Sequence, residues 1–592
     1  MRRLFCCAVP RWALTLAGVA AITVALAAWQ LGLDNNPVMG PSRILLLLWG
    51  IGILIVAQHG LVAALLRGGR NRTATQSGTD RFPPDQRLAK PYGAEVRPSP
   101  RWIWPALFLT FPAILALYLW LVTAGEWMKP LPETTFYYDM LAEALASGQT
   151  FLKHTPDPRL AEVGNPYDPA LLIGIARCEP GIVRQDCWLM DASYFEGKYY
   201  LYWGPAPAAG LALLKIGGVG RVGDVTIALI AASALFCLTA YCLAGLWNRY
   251  FSGLPRWLLF PPLVLAGLAY PLPWVLDDPR IYEAATLQGA ALLMWGFAVA
   301  VPAFASGHSG PRRLALVGAL WGLALGTRAV LALPVAVLAS GLAWRVFRGQ
   351  SADPGVRGLW SSMADLFLPL AAAAGLIGVY NYVRYSNPLE FGTRYMLGPS
   401  TVQTAGSLTA FDWSHIPVNA YNYLFAPAAI GTEFPFLEPV VAIRALGPIQ
   451  IPYSNLLSGE TVTGLLVTTP FLLFVAYVLW WMMCGNMDCS LGDEVETRAP
   501  APDRSGLQGM VRILLLASLA AFLPILSFVF VTARYLLDLT PLLTILGGLG
   551  AWTAYGAARA PLTRWLISLA IVVSASASAV MSVLLALNNW QR

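Results

Sequence analysis

Long apolar segments separated by short polar turns run along most of the chain. Segments of about 18 or more mostly apolar residues are long enough to cross a membrane as helices. The region 314–347 is too long for one crossing, and Gly326-Thr327-Arg328 interrupts it, which predicts two helices with a polar tip. The other long segments are 12–32, 44–66, 103–123, 225–247, 257–276, 284–305, 364–383, 462–483, 513–531, 539–555 and 565–587. The pattern predicts an all-α polytopic membrane protein with about 11–13 transmembrane or re-entrant helices.

The composition supports this fold class. Charged residues make up 12% of the chain and hydrophobic residues 57%, with a mean hydropathy of +0.59. Soluble domains carry about 25% charged residues. We therefore interpret the net charge of +7 as a signal of membrane topology, and we expect membrane lipids, not nucleic acid, as partners.

The distribution of basic residues predicts the topology. The stretch 67–101 has eight Lys and Arg against three acidic residues, which marks it as cytoplasmic by the positive-inside rule. One apolar segment separates it from the loop 125–203, so that loop is placed outside. If 204–220 enters the membrane and returns on the same side, four later basic turns fall inside and the loop 384–460 lies outside.

These boundaries divide the chain into five parts. Both linkers are predicted from their polar composition, which cannot form a packed core. The parts are an N-terminal two-helix membrane extension (1–66), a disordered cytoplasmic linker (67–102), a membrane core with the external loops 125–203 and 384–460 (103–484), a second cytoplasmic linker (485–510) and C-terminal transmembrane helices (511–592).

The loop 125–203 is the most informative polar stretch. It holds eleven of the 32 acidic residues and thirteen aromatic residues. A connection between two membrane helices needs only a few residues, so we expect this loop to fold against the membrane and form a site. Within it, 134–148 has the apolar spacing of an amphipathic surface helix, with Gly148 as its stop.

Cysteine and histidine usage bears on redox state and metal binding. Cys178 and Cys187 share the loop, and an oxidising compartment would allow them to form a disulfide. Two free thiols are the alternative. The four His residues are dispersed and no close Cys/His cluster occurs, which argues against a dedicated zinc site.

The end of the loop combines a carboxylate, a lysine and aromatic rings. It reads DASYFEGKYYLYWGPAP from Asp191 to Pro207. An interfacial aromatic belt explains the rings, but it does not explain Asp191 and Lys198 in the same short stretch. We therefore expect aromatic side chains of the whole loop 125–203 to contact a substrate, with Tyr199, Tyr200 and Tyr202 in this stretch and Tyr138 in the predicted surface helix.

These motifs resemble those of the GT-C glycosyltransferases. The resemblance rests on a helix that ends at Gly148, then D-x-S-x-x-x-G-K-Y-Y from Asp191, then G-P-x-P from Gly204. It is closest to the branch of protein O-mannosyltransferases and lipid A aminoarabinose transferases. Further matches to uncharacterised bacterial members are RIYE (280–283), GLALGTR (322–328), NYVRYSNPLEFG (381–392) and RYLLD (534–538).

The resemblance implies a fold, a reaction and a location. The fold would be of GT-C type with a large external first core loop. The reaction would move a sugar from a polyprenyl-phosphate donor to a hydroxyl of a glycan, lipid or protein acceptor. It would proceed by a single direct displacement, which inverts the configuration of the sugar. The protein would lie in a bacterial inner membrane, with its active site on the periplasmic side. No cofactor is required, and a divalent cation stays an open alternative.

This reaction needs a base for the acceptor hydroxyl, and a positioned carboxylate serves that purpose. The family's catalytic Asp belongs to an Asp-Glu pair upstream of the helix-ending glycine. The equivalent position is Glu133, followed by Thr134, so the chain departs from the family at both positions. Asp139 and Asp191 are therefore further candidates for the base.

The departing lipid phosphate needs a cationic clamp, for which the planar donors of arginine are well suited. Arg328 and Arg534 are the strongest candidates because both interrupt apolar segments, where a charge is costly. Further candidates are Arg280, Arg384, Arg394 and Lys198. The spacing of four residues predicts that Asp538 pairs with Arg534 on one helix face.

Two other functions remain as alternatives. A transporter or flippase of lipid-linked glycans would be expected to show internal repeats and broken helices with charge at mid-membrane, and no repeat is evident here. A polymerase or ligase of lipid-linked glycans uses the same carrier, and the long loop 384–460 is compatible with it.

Overall fold

The structure is a computed structural model, and it describes most of the chain beyond residue 102. The described residues are 103–126, 130–133, 135–168, 172, 175, 177–178, 188–351, 359–398, 411–450, 460–483 and 504–588, with separate positions between 18 and 50. The predicted linker 67–102 lies outside them, as does most of the predicted N-terminal extension 1–66 and of the second linker 485–510.

The described chain is an α-helical polytopic membrane protein. Six of its helical segments are long and apolar enough to cross a membrane: Asp224–Phe251, Ile281–Ser306, Ala329–Gly349, Trp360–Tyr385, Gly506–Ser527 and Pro561–Leu587. Numbered in chain order, the helices are α1 Ile103–Val122, α2 Tyr137–Ala146, α3 Arg159–Glu162, α4 Ala206–Ile216, α5 Asp224–Leu246, α6 Phe260–Leu268, α7 Ile281–Ser306, α8 Pro311–Thr327, α9 Ala332–Ser351, α10 Leu359–Tyr385, α11 Ile416–Phe425, α12 Leu465–Thr468, α13 Leu473–Met483, α14 Arg504–Ser527, α15 Thr540–Ala557 and α16 Pro561–Leu587.

The apolar segments after residue 102 predicted these helices well. The region 314–347 divides into α8 and α9 around Arg328, as the polar tip predicted. The segment 257–276 differs, because α6 ends at Leu268 and two prolines, Pro271 and Pro273, precede a short 3₁₀ turn. Residues 504–510, which we assigned to a linker, are the first residues of α14.

The central helix α7 packs against α5, α8 and α9. Glycines allow this close packing, since a helix without a side chain at one position lets its neighbour approach. A Cβ at Gly296 would lie 2.4 Å from the Trp321 ring, and Trp321 donates its indole N–H to the Leu293 carbonyl at 3.2 Å. The packing of α7 against α8 holds α8 in place, and it therefore also positions Arg328, which follows the last residue of α8.

Both external loops also contain short strands, which the prediction of an all-α chain did not include. A hairpin forms next to the Asp191 segment, and its two-residue turn, Glu196-Gly197, has positive φ at both positions, as a type I′ turn requires. A three-stranded sheet lies in the second loop, where the strand 437–441 pairs with 428–430 on one side and with 461–462 on the other. The strands are β1 Arg177–Cys178, β2 Trp188–Leu189, β3 Ser193–Phe195, β4 Lys198–Tyr200, β5 Ala428–Ile430, β6 Leu437–Val441, β7 Ala445–Leu446, β8 Ile449–Gln450 and β9 Thr461–Val462.

The segment 204–220 leaves and returns at the same end of the bundle, as the topology prediction requires. Its helix α4 has 11 residues and is about 16 Å long, too short to cross a bilayer. Before α4, the Gly204 N–H donates to the Thr327 carbonyl at 3.2 Å. After α4, the Asp224 carboxylate accepts from the Tyr137 N–H at 2.9 Å. Both ends of the segment therefore meet the same external loop and helix ends.

Candidate functional site at one end of the helix bundle

Polar residues from distant parts of the chain meet where several membrane helices end. Tyr282 and Glu283 lie in the first turn of α7, and Arg328 follows the last residue of α8. Arg534 and Asp538 belong to a 3₁₀ helix between α14 and α15. The loop segment that begins at Asp191 lies against them, because the Tyr282 hydroxyl donates a hydrogen bond to the Asp191 carboxylate.

Asp191 is held in an uncommon backbone conformation. Its φ is +58°, in the left-handed region, where Asp is one of the few residues besides Gly that occur regularly. Its N–H donates to the Leu397 carbonyl at 2.6 Å, and Leu397 donates back to the Ala192 carbonyl at 2.9 Å. The second external loop therefore fixes the position of this carboxylate. Such conformations concentrate at functional sites.

Arg534 lies at the centre of the cluster. Its Nη1 is 2.9 Å from a Glu460 carboxylate oxygen and 3.6 Å from a Glu283 oxygen, and its guanidinium carbon is 4.8 Å from the centre of the Tyr282 ring. Burial lowers the pKa of Arg534, but the two carboxylates outweigh burial and raise it overall. Arg534 is therefore a permanent cation next to the Asp191–Tyr282 pair.

The prediction that Asp538 pairs with Arg534 is wrong. Asp538 pairs with Arg328 instead, at 2.5 Å from Nη1 to the carboxylate oxygen. The reason is the local helix type, because residues 533–538 form a 3₁₀ helix. With three residues per turn, positions four apart do not share a face, so Arg534 points to Glu460 and Asp538 to Arg328.

An aromatic wall borders the cluster. The Tyr202 and Trp203 rings stack at 3.9 Å between centroids, and Trp203 meets the Tyr282 ring edge-on at 5.3 Å. The wall is tied to α8 by a close backbone contact, since a Cβ on Gly204 would lie 2.0 Å from the Gly326 carbonyl oxygen. The glycine thus allows the aromatic segment to reach the helix end that carries Arg328.

Glu133, a predicted base, caps a helix. Its carboxylate accepts from the Val225 and Thr226 N–H groups, both at 3.1 Å, and from the Thr226 hydroxyl. These are donors of the first turn of α5, which have no partner within the helix. Burial raises the pKa of Glu133 to about 7, with the Thr226 hydrogen bonds opposing and the Asp224 charge adding to the shift.

Asp139, another predicted base, holds the turn before α5. It is buried, accepts from the Val222 N–H at 2.8 Å and forms an ion pair with Lys215 at 2.8 Å. Burial raises the pKa of Asp139, and Lys215 and the Val222 N–H oppose the shift. The polar contacts of Glu133 and Asp139 thus run to 215–226, whereas Asp191 contacts Tyr282.

The predicted aromatic residues differ in their burial and in the residues that they contact. Tyr202 belongs to the aromatic wall, and Tyr138 is fully buried in α2. Tyr199 is also buried and contacts the rings of Tyr194 and His154 on the side of the loop core. Tyr200 lies against the rings of Phe151 and Tyr385.

Two predicted cations, Lys198 and Arg280, are exposed or half-exposed. Lys198 is exposed and lies 4.8 Å from the centre of the Phe151 ring. Arg280 forms a half-exposed ion pair with Asp278 at 2.6 Å, and its backbone N–H donates to the Glu283 carboxylate at 2.9 Å. The structure therefore brings Asp191, Arg328 and Arg534 together with Tyr202 and leaves Lys198 at the periphery.

Asp224 and Glu460 organise the site but were not singled out from the sequence, whereas Arg384 was among the candidates for the phosphate clamp. Asp224 accepts from the Tyr137 and Tyr138 N–H groups at 2.9 and 3.2 Å and so caps α2. Glu460 contacts Arg534, and nothing in its local sequence marks it. Arg384 is 3% exposed and donates to the Leu201 carbonyl and the Asn381 side chain, both at 2.6 Å. Its place in the motif 381–392 was the available signal for Arg384.

Metal and disulfide predictions concern this end of the molecule as well. Among the residues that the structure describes, no group of three or more His, Cys, Asp or Glu side chains is arranged to hold a metal ion. The Cys178–Cys187 disulfide stays a prediction, because Cys187 lies outside the described residues.

Comparisons with protein-family models, with curated proteins and with solved structures find no match for the chain. The observations that bear on function are therefore the motifs in the sequence and the geometry of this cluster. That cluster combines the Asp191 carboxylate, two arginines that are ion-paired with other carboxylates, and an aromatic wall at one end of a membrane helix bundle.

Proposed function

We propose that the protein is a membrane glycosyltransferase of GT-C type. It would transfer a sugar from a polyprenyl-phosphate donor to an acceptor hydroxyl at one face of the membrane. The observation that carries the proposal is the meeting of Asp191 and Tyr282 with Arg534 at the ends of membrane helices. A carboxylate and a cation beside a membrane surface are what an acceptor hydroxyl and a lipid phosphate need.

Asp191 is our first choice for the base. The carboxylates of Glu133 and Asp139 are occupied by backbone N–H groups of the α5 end and by Lys215. Asp191 instead accepts from a tyrosine hydroxyl and stands beside the aromatic wall. The C–H faces of sugar rings are apolar, and they commonly pack against the faces of aromatic rings. An acceptor hydroxyl would replace or join Tyr282 at Asp191.

Arg328 and Arg534 are our choices for the phosphate clamp. Their ion pairs with Asp538, Glu460 and Glu283 run through Nη1. A guanidinium has five N–H donors in a fixed fork, so donors remain for the oxygens of a phosphate. The carboxylates hold both arginines in place before the phosphate arrives, which is the preorganisation that electrostatic catalysis requires.

The test is a transfer assay on the purified chain with a panel of polyprenyl-phosphate sugars. Asp191→Asn keeps the size and hydrogen bonding of the side chain but cannot accept a proton. We expect it to lose about 10²–10⁴-fold in transfer rate while it still binds the donor. Arg534→Ala should instead weaken donor binding. Glu162→Gln, which changes an exposed carboxylate of the same loop, is the control and should transfer at the wild-type rate.

Two outcomes would contradict the proposal. Full activity of Asp191→Asn with loss of activity in Glu133→Gln or Asp139→Asn would move the base to the position that the family resemblance indicates. Movement of a lipid-linked glycan across a membrane, without formation of a glycosidic bond, would favour the transporter or flippase. The predicted location in a bacterial inner membrane with a periplasmic site belongs to the same proposal.

A further inference from the structure

An apolar groove lies between two membrane helices, away from the candidate site. It has a volume of about 310 Å³, and its lining consists of Ser340, Ala343, Trp344 and Phe347 of α9 with Met363 and Phe367 of α10. Both helices are among those long and apolar enough to cross a membrane. In such a helix, an apolar groove on the outer surface faces lipid tails.

The groove is separate from the candidate site. Arg328 precedes the first turn of α9, whereas Trp344 is twelve residues into the helix from Ala332. At a rise of about 1.5 Å per residue, this is roughly 18 Å along the helix axis. The groove therefore lies apart from the site of the proposed transfer reaction.

The rim of the groove carries a cation. The Arg348 guanidinium carbon lies 4.7 Å from the centre of the Trp344 ring, and Trp344 is 55% exposed. Arg348 is exposed, and within the described part of the chain its side chain has no carboxylate within ion-pair distance. The neighbouring Arg345 differs, because it donates to the Phe304 carbonyl at 2.9 Å and to the Ala305 carbonyl at 3.4 Å.

We propose that the groove binds an acyl chain of an anionic phospholipid whose headgroup phosphate contacts Arg348. The apolar lining suits the chain, and the exposed arginine at its end suits a negatively charged headgroup. Basic residues beside grooves between membrane helices recognise anionic lipids for this reason. Trp344 contributes to both parts, since its ring lines the groove and also faces the guanidinium.

The test is lipid binding to the full chain, measured by native mass spectrometry in a mild detergent. The probes are phosphatidylglycerol and phosphatidylcholine with identical acyl chains. Wild type should bind the first phosphatidylglycerol about fivefold more tightly than phosphatidylcholine, as one basic residue near a charged headgroup implies. Arg348→Gln should remove this preference by weakening phosphatidylglycerol binding, and it should change phosphatidylcholine binding less, because the choline cation offsets the phosphate charge.

Two further variants separate the groove from general charge effects. Ser340→Phe fills the groove from an exposed position, so it should weaken binding of both lipids without affecting the fold. Arg249→Gln is the matched control, because Arg249 also lies beside an aromatic ring, Tyr250 at 5.6 Å, but does not line the groove. It should bind both lipids as wild type does. Helix content from circular dichroism verifies that each variant is folded.

Several results would overturn the inference. Equal affinity of wild type for the two lipids would remove the role of Arg348 as a headgroup contact. Wild-type binding by Ser340→Phe would show that the acyl chain lies elsewhere. An equal loss of preference in Arg249→Gln and Arg348→Gln would indicate a general effect of charge. Wild-type preference in Arg348→Gln, with binding lost in Ser340→Phe, would overturn the headgroup assignment.

Discussion

Asp538 and Glu460 each form an ion pair with an arginine of the site, but they differ in burial. The Asp538 side chain is 3% exposed and that of Glu460 30%. Removal of the Asp538 charge leaves Arg328, which is 11% exposed, without its ion-pair partner, whereas Arg534 keeps Glu283 beside it when the Glu460 charge is removed. The same kind of ion pair therefore has different consequences for stability at the two positions.

We predict that Asp538→Asn destabilises the protein by about 3–5 kcal/mol, the usual cost of leaving a buried charge unpaired. Glu460→Gln should cost about 1 kcal/mol or less, because solvent already screens this pair and Glu283 remains beside Arg534. Unfolding in detergent, followed by circular dichroism, measures both changes. Equal destabilisation of the two variants would contradict the prediction.

The stability of the α5 end should depend on pH through Glu133. Burial raises its pKa to about 7 in the folded protein, above about 4.3 in an unfolded chain. The folded state therefore binds more protons between these values, so the stability from Glu133 is present below pH 4.3 and is lost as the pH rises to about 7.

We predict that wild type becomes less stable between pH 5 and pH 7.5 and that Glu133→Gln reduces this loss. The amide oxygen keeps an acceptor for one of the two N–H groups of Val225 and Thr226, and the amide does not ionise. Melting temperatures at the two pH values measure the difference. Glu196→Gln, an exposed change in the same loop, should retain the wild-type pH dependence. Identical pH dependence of Glu133→Gln and wild type would refute this role.

At the residue scale, the sequence predicted which arginines lie in the polar cluster better than it predicted their contacts. Arg328 and Arg534 were selected because charges in apolar segments are costly, and both lie in the polar cluster. Their partners were not predictable from spacing, because Asp538 and Arg328 are 210 positions apart and Glu460 and Arg534 are 74 apart. Such pairs form only when helix ends from distant parts of the chain meet.

At the scale of elements, the aromatic segment 199–203 depends on its contact with α8. Gly204 follows this segment, and its backbone approaches Gly326 so closely that any side chain would collide with the carbonyl oxygen. The contact involves backbone atoms, which cannot rotate away as a side chain can. The position of Trp203 relative to Arg328 thus depends on a residue with no side chain.

We predict that Gly204→Ala displaces the aromatic segment and destabilises the protein by about 1–3 kcal/mol, as overpacking typically does. Gly210→Ala is the matched control. Gly210 lies within α4, and a Cβ there meets nothing within 4 Å, so alanine should stabilise the helix by about 0.5–1 kcal/mol. Unfolding of both variants measures the contrast. A neutral Gly204→Ala would show that the backbone can shift without cost.

Helices were easier to predict than strands in this chain. A membrane helix is specified by a long apolar segment, and α8 and α9 follow from the single polar interruption at Arg328. Strands β5 and β6 are three and five residues long, and β6 also pairs with β9, which comes about 20 residues later in the chain. The helical capping by Glu133 was also missed, because it requires the start of α5 to meet the first loop.

At the scale of the whole molecule, the directions of the helices determine which loops lie at the same end of the bundle. The first external loop contacts the start of α5 through Glu133 and Tyr137. The chain then crosses through α5, returns through the segment 256–276, which contains α6 and a 3₁₀ turn on each side of it, and crosses again through α7. The turn 307–310 after α7 must therefore lie at the end of the bundle opposite the loop that carries Asp191.

We predict that Glu162→Cys and Glu196→Cys react with a membrane-impermeant maleimide added outside intact cells, and that Ser309→Cys does not. Glu162 and Glu196 are exposed and Ser309 is partly exposed, and the native cysteines are replaced in the background used for labelling. Ser309→Cys should react after the membrane is permeabilised, which controls for its reactivity.

Labelling of positions 162 and 309 from the same side would contradict the helix directions. Labelling of 309 from outside, with 162 protected, would keep those directions but reverse the orientation, because the positive-inside rule would then have misassigned 67–101. The proposed site would in that case face the cytoplasm, where its donor would have to be a carrier presented on the inner leaflet.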